Sequence, residues 1–208
     1  MNAGYLSLLL VVVALILVLS GWKDILLRGM TPTSLLLFFV LWIVLLPLSF
    51  EWQSIQFSGS AILWIGILSY VFVSMRGSLL RFHLISVSLL LSSVYFFLKE
   101  TIHLMPTIMI WNATFTTALM VGVLAAGLLR QPGLQIAAIT AALLLGESMS
   151  LYAHRDTAIV VIGHAGAQDL WWLSIFTARA VSLLLEAMGN AVRGMAKRVA
   201  DRLRIRKP

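Results

Sequence analysis

Seven hydrophobic runs, each near the length that crosses a bilayer, are separated along the chain by short polar breaks. They fall at about 3–22, 33–50, 59–75, 79–98, 107–129, 134–152 and 170–189. About 20 apolar residues carry a helix across a hydrocarbon layer roughly 30 Å thick. The pattern therefore predicts an all-α integral membrane protein, a bundle of about seven transmembrane helices over residues 1–190. A six-helix version, in which the third and fourth runs are parsed differently, is the alternative. Pro47 is expected to kink or end the second run, and Arg76-Gly77-Ser78 and Arg130-Gln131-Pro132-Gly133 read as tight turns. The stretch from His154 to Asp169 reads as a loop whose apolar middle, Ala158 to Gly163, lies in the interface or dips back into the bundle. Strand-like alternation is not expected, which argues against a barrel. The first run has no basic residue before it and no small-residue cleavage site after it, so it reads as a retained helix and not a secretory signal.

After Gly189-Asn190 the chain keeps a helical period over residues 191–208. Val192, Met195, Ala196, Val199 and Leu203 share one face, and Arg193, Lys197, Arg198, Asp201 and Arg204 take the other. This predicts a basic amphipathic helix on the membrane surface, with Arg202, Arg206 and Lys207 completing the cationic set over anionic headgroups. Docking of a membrane or cytoplasmic protein is a second reading of the tail. Nucleic acid is not expected, because no aromatic residues are interleaved with the basic ones.

Composition agrees with the pattern: 61% of the residues are hydrophobic, only 11% are charged, and the mean hydropathy is +0.99. With no cysteine, disulfides, thiol catalysis and cysteine-ligated metals are excluded. Charge then orients the bundle, because Lys and Arg accumulate on the cytoplasmic side. With seven spans, Lys23, Arg28, Arg76, Arg81, Arg130 and the seven tail cations share one side, against Lys99 and Arg155 on the other. The N-terminus is expected outside and the C-terminus in the cytoplasm of a multi-pass cell-membrane protein. Tyr5, Trp52, Tyr95, Trp111, Tyr152, Trp171 and Trp172 fit an outer aromatic belt, and Trp22 an inner one.

Two ionisable residues lie well inside apolar runs and away from their ends, Glu147 in the sixth and Arg179 in the seventh. A charge at membrane depth is costly unless it finds a partner or water. At about 1.5 Å rise per residue, Glu147 lies roughly 8 Å inside the outer end of its run and Arg179 roughly 13 Å inside its own. An intramembrane Glu147–Arg179 ion pair is the prediction. Ala118, Gly122 and Ala126, and Ala138, Ala142 and Gly146, recur at four-residue spacing as helix-packing stripes, so runs five to seven are expected to form the tight core. Asn112 and Thr114, Thr116 and Thr117 are candidates for hydrogen bonds between helices. His83, His103, His154 and His164 match no metal-ligand spacing, and no metal or other cofactor is expected. No His-Glu-x-x-His motif, nucleotide-binding glycine loop or mid-chain lysine for a retinal Schiff base occurs.

Three functions compete on these residues. The first is a non-enzymatic scaffold or accessory membrane component in which the charged pair holds helices together. The second is a small transporter or channel using Glu147 and Arg179 as a substrate or proton site. An intramembrane enzyme using Glu147 with His154 is the third.

Through the middle of the chain, Ser69-Tyr70, Gly77-Ser78-Leu79, the basic turn at Arg130, Gly146-Glu147 and Tyr152-Ala153 occur in an order that resembles the YphA-like small polytopic membrane proteins of spore-forming Firmicutes. The resemblance covers about Gly59 to Ala180. It implies a bacterial inner-membrane protein and carries no catalytic residue onto this chain.

Overall fold

The polar breaks start and stop helices as their residue types dictate. A computed structural model describes residues 2–27, 31–52, 55–75, 77–102, 104, 109–154 and 161–205, with the backbone alone described at 24, 26, 52, 55 and 196–205. Arg28, Arg76, His103, Arg155, Arg206 and Lys207, and the side chains of Lys197, Arg198, Arg202 and Arg204, lie outside the described residues. Helix α1 (Tyr5–Leu17) passes through a π-helical segment, Val18–Trp22, into the short α2 (Lys23–Leu26). Gly21, at φ 86, marks the break between them, a backbone conformation that glycine adopts without a Cβ penalty. In α3 (Pro32–Leu45), Thr31 accepts the Ser34 N–H at 3.2 Å and Pro32 takes a first-turn position that needs no donor. Helices α4 (Gly59–Ser74), α5 (Ser78–Thr101), α6 (Ala113–Leu128), α7 (Pro132–Ala153) and α8 (Ala165–Ile205) follow.

Each predicted run holds an apolar helix, but their lengths differ. Tyr5–Trp22, Ser78–Thr101, Pro132–Ala153 and Ala165–Met195 are long and apolar enough to cross a membrane, whereas Pro32–Leu45, Gly59–Ser74 and Ala113–Leu128 are shorter.

The expectation of no strands is corrected by a three-stranded sheet. Helix α3 stops at Leu45, ahead of Pro47, and β1 (Ser49–Trp52) pairs antiparallel with β2 (Ile55–Ser58), Phe50 opposite Phe57 and Glu51 opposite Gln56. Strand β3 (Val161–Ile162) adds parallel to β2. Phe50, Trp52, Ile55 and Phe57 do alternate with polar neighbours, a period-two signal short enough to be hidden between two long apolar runs. Pairing satisfies backbone groups that a bare loop beside lipid would leave unbonded.

Packing corrects a second expectation. The densest helix pairs are α6 with α8 and α5 with α7; α6 and α7 touch far less. Ala118, Ala126, Ala138 and Ala142 are buried in the core. A Cβ on Gly122 would come within 2.8 Å of the Ser174 carbonyl oxygen, so this glycine admits the backbone of α8. A Cβ on Gly146 would lie 2.2 Å from the Tyr95 ring, so this one admits a side chain of α5. The two stripes thus serve different neighbours.

Tyr95, Trp171 and Trp172 do not join an interfacial belt; all three are buried. Trp171 stacks on Trp42 with centroids 5.3 Å apart, and Phe38, Trp64 and Trp172 close around it. Tyr5, Trp22, Trp111 and Tyr152 are exposed. The basic tail is helical as far as Ile205 and continues α8 without interruption at Gly189 or Asn190. Within it, Val192, Arg193 and Met195 are all exposed.

Candidate functional site

Glu147 and Arg179 do not meet as predicted. Glu147 is 1% exposed and turns toward α5, where its Oε1 accepts hydrogen bonds from the Tyr95 hydroxyl and, at 3.0 Å, from the Lys99 ammonium. Arg179 turns toward the opposite end of α7. Its Nη1 donates to Gln135 Oε1 at 3.4 Å and its Nη2 to the Ile25 carbonyl at 3.1 Å. Gln135 and Glu147 are 12 residues apart on α7, about 18 Å along the axis. The pairing fails on register, because α8 begins at Ala165 and not near Leu170, which sinks Arg179 about five residues deeper than the apolar run suggests. Trp171 Nε1 donating to Thr140 Oγ1 at 2.9 Å fixes the same register.

The Glu147 site is built from sequence neighbours on two helices. Tyr95 and Lys99 are four residues apart and share a face of α5, and Gly146 leaves the space into which the Tyr95 ring packs beside Glu147. Lys99 occupies the last turn of α5, where a cation also favours the helix dipole. Its ammonium lies 5.9 Å over the Tyr95 ring and its side chain is 32% exposed, so the ion pair joins a buried carboxylate to a half-solvated cation. A second layer lies further along the same two helices. Ser150 Oγ donates to Glu100 Oε1 at 3.4 Å, and His154 Nε2 lies 3.6 Å from Glu100 Oε2. Glu147 Oε2 is buried with no hydrogen-bond partner among the described residues. This oxygen is a buried acceptor open to a proton or another donor.

The Arg179 site joins three segments. Gln135 donates to the Leu129 carbonyl at 2.6 Å and to Ser182 Oγ at 2.7 Å while accepting from Arg179. The Ile25 carbonyl lies in α2, so Arg179 supplies a donor to the far end of the N-terminal helical segment. Asp169, placed in a loop by the hydropathy pattern, sits instead in the first turns of α8. Its two oxygens accept the N–H groups of Gly4 and Ser7.

The remaining candidates are placed as follows. Asn112 caps α6 by accepting the Phe115 N–H at 2.7 Å, and Thr116 Oγ1 accepts the Ile110 N–H at 3.0 Å; both bonds are local and neither joins two helices. His164 Nδ1 lies 3.3 Å from the Val161 carbonyl. Among the described residues no three His, Cys, Asp or Glu side chains converge. Lys99 and Tyr95 were missed because Lys99 reads as the polar end of a span, and Gln135 because an uncharged amide near a turn gives no hydropathy signal.

A bundle of apolar helices whose few buried charges are bonded to neighbouring helices defines a polytopic integral membrane protein. The family model of YphA-like integral membrane proteins matches residues 25–202, and the chain belongs to this family. No curated protein and no solved structure matches it.

Proposed function

We propose that this protein is a non-enzymatic scaffold or accessory component of the bacterial cell membrane, with its N-terminus outside and its basic C-terminus in the cytoplasm. One observation carries the reading: Glu147, Arg179 and Asp169 are each bonded to a different helix or helical segment. A charge used in this way fixes how helices dock, and removing one partner leaves the other uncompensated. Neither the cleft beside Phe96, Leu145 and Tyr152 nor the one beside Arg130, Glu186 and Arg193 is lined by Glu147, Lys99, Tyr95 or Arg179. The orientation rests on the basic residues, which crowd the side of Lys23, Arg81, Arg130 and the tail. Anionic lipid headgroups are the proposed partners of Arg193, Lys197, Arg198, Arg202, Arg204, Arg206 and Lys207.

A second reading, a small carrier in which Glu147 relays a proton, draws support from the unbonded Oε2. Proton flux into proteoliposomes separates the two. Under the scaffold reading, wild-type vesicles acidify no faster than empty ones, and Glu147→Lys combined with Lys99→Glu recovers folded yield that either reversal alone loses. Flux in wild-type vesicles that Glu147→Gln abolishes, with folded yield intact, overturns the scaffold in favour of the carrier.

A further inference from the structure

Between the end of α6 and the middle of α8 lies a cleft of about 510 Å³, which meets the Gln135–Arg179 network only at Ser182. Arg130, in the turn after α6, and Arg193, Glu186 and Asn190, on α8, line it together with Ser182. Among the described residues, neither Arg130 nor Arg193 has a salt-bridge partner. A Cβ on Gly127 or Gly189, both in the cleft wall, would meet nothing within 4 Å. Their missing side chains are part of what keeps the cleft open.

We propose that this cleft binds the phosphodiester headgroup of a singly anionic glycerophospholipid, with a polyhydroxyl head of the phosphatidylglycerol kind. Charge supports it first. The lining cations Arg130 and Arg193 outnumber the one lining carboxylate, Glu186, which favours an anionic head, and guanidinium groups bind phosphate oxygens through paired N–H donors. The polar lining supports it next. Glu186 is an acceptor for head-group hydroxyls, and Asn190 offers both donors and acceptors. Position separates a lipid from a free anion, because Leu185 in the cleft lining is exposed, as are Leu128 and Met188, the chain neighbours of the lining residues Gly127 and Gly189. Acyl chains lie along these side chains while the phosphate sits among the arginines. Basic pockets between helices on the cytoplasmic side hold lipid headgroups in this manner. The site shares Arg193 with the tail but draws Arg130 from a distant part of the chain, and it takes one lipid at a fixed place where the tail cations beyond Arg193 collect many.

The test is native mass spectrometry of the full chain, purified in detergent and titrated with phosphatidylglycerol, with phosphatidylcholine, or with inorganic phosphate. One phosphatidylglycerol is expected to remain bound in preference to phosphatidylcholine, and millimolar inorganic phosphate is expected not to displace it. Arg130→Gln with Arg193→Gln is expected to weaken the retained lipid about tenfold, the loss of charge-assisted bonds. Gly127→Leu, which fills the cleft and leaves the charges, is expected to do the same. Neutralising Lys197, Arg198, Arg202, Arg204, Arg206 and Lys207 is expected to leave that single lipid in place. Equal retention of the two lipids, displacement by phosphate, or loss of the lipid only when the tail is neutralised each overturns the proposal.

Discussion

Asp169 of α8 caps α1 from outside that helix, its Oδ1 accepting the Ser7 N–H at 2.6 Å while Oδ2 takes the Gly4 N–H at 2.8 Å. The first turn of any α-helix has N–H groups with no partner inside the helix, and a carboxylate there also meets the positive end of the helix dipole. Ten residues later on α8, Arg179 donates to the Ile25 carbonyl in α2. One helix therefore holds the N-terminal segment at both ends, with a charge of the appropriate sign at each. Asp169→Ala should cost about 1–3 kcal/mol, the range for losing hydrogen bonds to a buried charged acceptor. Asp169→Asn should cost less, because an amide oxygen still accepts. Thermal unfolding in detergent, followed by the fluorescence of the buried tryptophans, measures both.

Lys99 offsets the cost of burying Glu147. Lys99→Met should destabilise the protein by about 3 kcal/mol, the low end of the range for breaking a buried pair, because the ammonium is partly solvated. Adding Glu147→Gln should recover much of that loss, since a neutral amide needs no counter-charge. A double-mutant cycle gives the coupling; additive single effects would show that the two side chains act independently.

Gly146 exists for Tyr95. With a Cβ placed 2.2 Å from the ring, Gly146→Ala should force α5 and α7 apart and cost about 1–3 kcal/mol, as overpacking does. Tyr95→Ala relieves that contact, so the double variant should be more stable than the two single effects added together. If Gly146→Ala is as stable as the wild type, the close approach is not a constraint.

Arg179 binds two acceptors that point from different segments. Arg179→Lys keeps the charge and loses the planar fork that reaches both. The expected consequence is local: amide exchange over Lys23 to Leu27 should quicken in Arg179→Lys and more so in Arg179→Met, while exchange in α5 stays unchanged. Hydrogen exchange with peptide-level mass readout measures this, and a uniform increase over the whole chain would instead mean global destabilisation.

Hydropathy alone placed an apolar helix in each of the seven runs, because a bilayer demands length and apolarity and both are properties of single segments. The turn ahead of α7 at Pro132 was equally legible, since a residue without an N–H has few places in a helix. Glu147 and Arg179 were recognisable as exceptional from their apolar surroundings. Their partners were not. Whether Glu147 faces Lys99 or Arg179 depends on the register between helices far apart in sequence, and the true start of α8 at Ala165 moved that register by more than a turn. The same holds for β3, where two residues find β2 across about a hundred intervening positions. A segment's own residues settle what it becomes in lipid, and only the assembled bundle settles which side chains share the little polar space it contains.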